Sequence, residues 1–552
     1  MAGLMLGCAL GSAPAQPATD TDLLLRCRFA GTAALYANTN AAKLKKMWTL
    51  PSAAELRAEA FTKLARAGAA WLQQRRAGSF PTNATVILAK LLEDLEKYGF
   101  QIEARGPNGA AAEWVLSLPL PPERAAQWES HWRSLAGGVP SADTQDWTAK
   151  ASGAPACLRF TRAGGWVVVG LGPEVLTLQP KLAAELKAGT SPLPAASPNW
   201  FETTADLKRL GWLPEALHSV DWPRTYLAIS NKADVVRTTL RFIFPQPHGW
   251  QPEPWRIPAR LISEPLVSFT AAQGLSSLWR QLPALVALPL EPAPNQFIGW
   301  AQGLTPFQTF VATPSANVSN QMRRLTVPLQ QEIGGAFPHC GKVGWTTNRS
   351  SLAWTGVPYL TPALSPAASG GQEFLIAGLF PSLRSTNSLP SDLLAQVYGN
   401  TNLLYYDWEL AQERVIQWRQ LFQLYEIFRL QSDSHHTNLI LVDAATHRYE
   451  LADQPNFTGT NYASHRWLDQ VAPWLDNCVT EALATSPREI TVQRKSPCGF
   501  TGFELVYLTH WIESRDFPKW GVLKPNRTVI RPPGGKPVLV RPGPERPPAG
   551  KK

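Results

Sequence analysis

The sequence predicts an α+β protein of two related lobes, with mainly antiparallel sheets, packed helices and a disordered C-terminal tail. Three observations predict it. A short apolar strand running into a cap-type residue and an amphipathic helix occurs four times, the two halves carry similar orders of strands and helices, and residues 517–552 are rich in proline and basic side chains.

The joins read Ala34-Leu35-Tyr36-Ala37-Asn38-Thr39-Asn40 before Leu44 and Met47, and Trp200-Phe201-Glu202-Thr203-Thr204 before Leu207 and Leu210. They return as Leu266-Val267-Ser268-Phe269-Thr270 before Leu275 and Leu278, and as Leu403-Leu404-Tyr405-Tyr406-Asp407 before Leu410, Val415 and Trp418. Period-two apolar residues suit a half-buried strand, and apolar residues three and four apart suit one helix face. Asn, Thr or Asp at the junction accepts a hydrogen bond from the first helical turn. The residue type changes from join to join, which capping tolerates and a catalytic group does not, so the recurrence is architecture.

Between the first two joins the pattern predicts a helical pair, Ala53 to Gln74 and Thr85 to Tyr98. Strand Glu113 to Leu118, helix Pro122 to Leu135 and strands Leu158 to Thr161 and Trp166 to Val169 follow. Strands Tyr226 to Ser230 and Thr238 to Phe244 close the first half. The second half repeats the order with strands Gln296 to Trp300 and Phe307 to Val311, a helix near Asn317 to Ile333, strands Gly341 to Thr346 and Ser351 to Trp354, and a later strand Asn438 to Val442. Such an order indicates an ancient duplication. It places a first lobe at 16–258 and a second at 259–516.

Length alone, 552 residues, suggests three or four domains, and a 44% hydrophobic content supports a large core. No uninterrupted apolar stretch of about eighteen residues occurs, so no membrane span is expected in the mature body. Residues 1–15 are expected to be a signal-peptide remnant, because Ala13-Pro14-Ala15 fits a small-x-small cleavage site before Gln16. The expected location is therefore periplasmic, cell-surface or secreted. The net charge is +10, but residues 517–552 hold nine Lys or Arg against Glu545 alone, so the tail carries most of it. Nine prolines in the same tail argue for an extended, solvated arm. Nothing implies a fold-borne groove for specific nucleic acid; an envelope protein or an acidic polymer is the expected partner of residues 517–552.

Export permits disulfides. Cys478, expected to close a helix, and Cys498, in the turn Ser496-Pro497-Cys498-Gly499, are the feasible pair, and a loop of about twenty residues would contribute about 3 kcal/mol. Buried free thiols are the alternative. The chain has no HExxH, no G-x-S-x-G and no G-x-G-x-x-G, and no cofactor is implied. Asp433, His435 and His436 are the metal candidates, although adjacent histidines on a strand face opposite ways and a polar turn explains them equally.

Asp407 and Glu409 are the best carboxylate pair, since alternate positions on an extended segment face one side and can divide acid and base roles. The competing reading has Asp407 capping a helix from Glu409 to Leu430, with Glu409 in its first turn. His510, expected at the end of a strand, is weaker still. The 22 tryptophans raise glycan stacking, but Trp128 and Trp132, four apart on one helix face, are spaced as core residues.

The joins at Leu35 to Asn40 and Ser268 to Leu275, with the helix opening at Glu409, resemble large exported bacterial proteins of unknown function built of repeated strand-helix modules. That resemblance implies no catalytic residues. The expected role is non-catalytic binding or assembly at the cell envelope; the alternative is a secreted hydrolase of a polymeric substrate using the carboxylate pair. Sequence names no ligand and no oligomeric state.

Overall fold

The computed structural model describes residues 22–518, apart from 75–79, 141–145, 151–156, 191–198, 214–221, 280–288, 304–307, 337–341, 380–390, 434–438, 444–447, 452–461 and a few isolated positions, together with 528–530 and 538–540. The first half opens on β1 (Leu23–Phe29), then α1 (Thr32–Ala37), α2 (Ala42–Thr49), α3 (Pro51–Gln73) and α4 (Ala84–Tyr98). Next come β2 (Phe100–Arg105), β3 (Glu113–Pro119), α5 (Pro122–Ala136), β4 (Val139–Pro140), β5 (Asp146–Lys150), β6 (Cys157–Ala163) and β7 (Trp166–Gly172). It closes with α6 (Leu178–Lys187), β8 (Asn199–Ala205), α7 (Leu207–Leu210), β9 (Arg224–Lys232) and β10 (Val235–Ile243).

The second half holds β11 (Leu266–Gln273), β12 (Gln296–Gln302), β13 (Thr309–Pro314), α8 (Val318–Ala336), β14 (Lys342–Trp345), β15 (Leu352–Thr355), β16 (Ala363–Ser369) and β17 (Gln372–Gly378). It continues through α9 (Ser391–Tyr398), β18 (Leu403–Leu410), α10 (Ala411–Asp433), β19 (Leu439–Asp443) and β20 (Arg448–Leu451). The body ends with α11 (Ala463–Val471), β21 (Asn477–Ser486), β22 (Glu489–Ser496) and α12 (Gly502–Glu513).

Across the first half the strands pair in the order β4-β5-β6-β7-β3-β2-β1-β8-β9-β10. Across the second they pair as β14-β15-β16-β17-β13-β12-β11-β18-β21-β22. The orders match strand for strand, with β21 and β22 in the places of β9 and β10. The last strands of the two halves then pair with each other, Val236 opposite Ser496 through Ile243 opposite Glu489. The result is one continuous antiparallel sheet of twenty strands.

Helices α3, α4 and α5 cover one face of the first half, where Leu25, Cys27, Ile87, Leu91, Leu118, Trp128 and Phe160 form a core. On α4, Ile87, Leu91 and Asp94 recur at helical spacing and point inward. Buried Asp94 is satisfied by Arg124 Nη2 at 2.5 Å and Trp128 Nε1 at 2.7 Å. Trp128 is 1% exposed and Trp132 packs beside the same core, as their spacing predicts. Burying a side chain of this size contributes about 3 kcal/mol. Helix α6 takes the opposite face, its first turn held by Glu113, which accepts from the backbone N–H groups of Thr177, Leu178 and Gln179.

Several expectations are corrected. The Ala34–Asn40 strand is helix α1 followed by a 3-10 turn at Thr39–Ala41; the strand lies earlier, at β1, because Leu23-Leu24-Leu25-Arg26-Cys27 pairs with both β2 and β8. Asn38 does cap, accepting from Asn40 N at 2.8 Å. Cys478 lies in strand β21, where it is the buried partner of Glu409, and does not close a helix. His510 lies in α12. Beyond Pro518 the described residues pair as β23 (Thr528–Ile530) and β24 (Val538–Val540). The Phe517 ring lies 4.7 Å from that of Trp511.

Candidate functional site

Asp407 and Glu409 stand on β18, three strands from the junction of the halves, and alternate positions bring both to the face covered by α10 and α12. Asp407 is not a helix cap. It lies in the strand opposite Thr270 of β11 and Thr480 of β21, and α10 begins only at Ala411. Its Oδ1 accepts from the Thr270 hydroxyl at 2.6 Å. Glu409, 4% exposed, is likewise a strand residue, and the helix terminus it serves belongs to another helix: its Oε1 accepts from Gly502 N at 2.6 Å, in the first turn of α12.

Sequence reasoning missed the cations. Arg494 of β22 is opposite Thr480 and reaches its hydroxyl at 3.0 Å, while its guanidinium grips Glu504 of α12 with two nitrogens, at 2.7 and 3.1 Å. Arg414, on the first turn of α10, has Nε 3.9 Å from Glu409 Oε2, donates to Gln417 at 2.7 Å, and lies over the Trp418 ring at 4.9 Å. Thr501 and Glu504 close the end of α12 reciprocally, each side chain bonding the other's backbone N–H. Gly502 permits the contact: a Cβ there would lie 2.9 Å from Ala411 O and from Arg414 Cβ. The usable signal was Thr501-Gly502-Phe503-Glu504, a capping-box sequence before an apolar run.

Burial pushes the Glu409 carboxyl up to about 7, and the neighbouring charge of Asp407 adds to it. Burial also raises Asp407, opposed by the Thr270 hydrogen bond and by Arg494 and Arg414. Chemically, the arrangement offers one carboxyl that changes charge near neutrality. Both carboxylates nevertheless have fixed partners, and neither lines a described cavity.

The remaining candidates separate. Cys478 and Cys498 are free thiols, both packed at the α10–α12 core; burial holds Cys478 well above the usual thiol range and Cys498 at about 11. Asp433 closes α10, and His435 and His436 lie outside the described residues. Among the described residues, no group of three or more His, Cys, Asp or Glu could hold a metal. His510 stacks on Phe422 at 4.4 Å, and burial lowers its pKa to about 4. Among the described residues, exposed Trp71, Trp345 and Trp474 sit on α3, β14 and the turn Ala472–Trp474. Among the described residues no helix is long and apolar enough to cross a membrane. No family model, curated protein or solved structure matches the chain.

Proposed function

We propose that the chain is an exported, non-catalytic protein of binding or assembly at the cell envelope. The observation that supports this reading is the use made of Asp407 and Glu409. A general acid or base must come within hydrogen-bond reach of a substrate proton, whereas these carboxylates tie β18 to β11 and to α12. Export rests on Ala13-Pro14-Ala15, and the mature chain would begin at Gln16. The matching strand orders support descent of the two halves from one ten-stranded unit. The basic residues beyond Pro518 supply an arm for an acidic polymer or an envelope protein.

One observation favours the rival polymer hydrolase: a carboxyl near 7 suits proton transfer at neutral pH. Sedimentation of the purified protein with isolated envelopes, heparin and polyglutamate, alongside an assay for released sugar and peptide ends, separates the two readings. Binding is expected without release. Deleting residues 519–552 should leave the melting temperature unchanged and remove the salt-sensitive part of binding, because exposed charges are screened within about 10 Å at 0.1 M salt. Release of ends that Asp407→Asn abolishes in a stable variant would establish the hydrolase.

A further inference from the structure

In the first half, α4 covers β3: Ile87 and Leu91 share a core with Leu118, and Leu88, Leu95 and Leu116 pack against it. The corresponding place in the second half is found from the hairpins. Gly164-Gly165 joins β6 to β7, and Gly370-Gly371 joins β16 to β17. Val167 and Glu373 are each the second residue after the glycine pair; Val167 pairs with Leu118, and Glu373 accepts the backbone N–H of Ser315. Two residues further on, Val169 pairs with Leu116 and Leu375 pairs with Thr313. Thr313 and Ser315 therefore stand where the first half has Leu116 and Leu118.

At that place the second half has a cleft of about 450 Å³, within the range of about 300–1,000 Å³ that small-ligand sites occupy. Its walls carry Ser276, Asn295, Thr313, Ser315 and Gln321, and exposed Glu253 and Arg256 also line it. Gln321 is held by donating to Glu291 O at 2.9 Å, which leaves its own carbonyl to accept. Thr313 is 6% exposed, and its hydroxyl has no hydrogen-bond partner among the described residues. A buried hydroxyl without a partner is unfavourable, yet here it replaces an apolar residue of the matching strand.

We propose that this cleft binds a short uncharged saccharide. Hydroxyls and carboxamides share the uncharged lining with Pro292, Ala293, Pro294, Pro314 and Ala316, and Glu253 and Arg256 carry opposite charges. A ligand with a net charge would meet a like charge as well as an opposite one, at Glu253 and Arg256. A sugar offers several hydroxyls, each able to donate and accept, which suits Thr313 and Ser315 in the wall and the planar Glu253 and Arg256 ends. The assignment rests on the reading of the chain as a binding protein and names the ligand class.

The test is calorimetric titration of the full chain with neutral trisaccharides of glucose and of N-acetylglucosamine, and with trialanine as a zwitterion of similar size. Saturable binding of a saccharide is expected, weakened about tenfold by Thr313→Val, the change typical of one hydrogen bond made in a desolvated site. Arg256→Ala, which alters an exposed side chain, should weaken it comparably and keeps the test decisive if Thr313→Val folds poorly. Absence of saturable saccharide binding, binding unmoved by both substitutions, or preference for trialanine overturns the proposal. Cleavage of the bound saccharide would leave the site standing and sink the non-catalytic reading; failure to bind would sink the site alone.

Discussion

Glu409 is a carboxyl in a place that favours its proton. Its pKa rises from an ordinary 4.5 to about 7 on folding, so the folded state holds the proton more tightly than the unfolded chain. Its contribution to stability is complete below pH 4.5 and is lost as pH rises through about 7, an effect on the order of 3 kcal/mol. His510 acts the other way: lowered from 6.5 to about 4, it contributes stability above 6.5 that is lost as pH falls toward 4. The two slopes oppose each other between 4.5 and 6.5, and Glu409 dominates above that. Thr270 supplies a sharper local test. Thr270→Val keeps the shape and removes the donor to Asp407, so it should cost about 2 kcal/mol in urea unfolding, as for a buried acceptor left unpaired. The pairing of Asp407 with Glu409 on one face was legible from their alternation. Arg494 and Glu504 were not, because they approach from elements distant in sequence.

At the scale of elements, the start of α12 concentrates the strongest local constraints. Thr501→Ala should cost about 1 kcal/mol through the lost cap. Gly502→Ala should cost more, about 2 kcal/mol or above, because its Cβ meets the backbone of α10. Circular dichroism melts of the two variants check the order; an unaffected Gly502→Ala would mean that α10 and α12 pack less closely than described. Local periodicity made β18, α3, α4, α5 and α8 legible within a few residues. It misplaced the cap at Asp407, since a carboxylate before a helix looks alike whether it serves that helix or a neighbouring strand. Strands β21 and β22 escaped notice because Cys478-Val479-Thr480-Glu481-Ala482-Leu483 reads equally as helix, and only pairing with β18 and β10 decides it. The first join failed differently: Gly31 at φ 89° and Gly99 at φ 75° touch backbone to backbone, and that crossing ends β1 before the apolar run at Leu35.

The whole molecule is a sheet that passes through both halves without a break. Matching orders of elements were visible in the sequence; the pairing of β10 with β22 was not, since the register of two strands about 250 residues apart leaves no local trace. That pairing predicts that residues 22–258 expressed alone expose the edge of β10 and self-associate, as unprotected edges do. Size-exclusion chromatography should find oligomers that mixing with residues 259–518 disperses, and a stable monomeric first half would contradict it. The functional cleft is legible only at this scale, because Thr313 and Ser315 become unusual when set against Leu116 and Leu118. Whether Asp407 and Glu409 hold the sheet to its helices is read from urea unfolding of Glu409→Gln and wild type at pH 5 and pH 8. The amide keeps an acceptor for Gly502 and removes the buried charge, so the variant should match wild type at pH 5 and exceed it at pH 8 by on the order of 1 kcal/mol or more. A variant less stable than wild type at pH 8 would mean instead that the charged Glu409 carboxylate stabilises the fold.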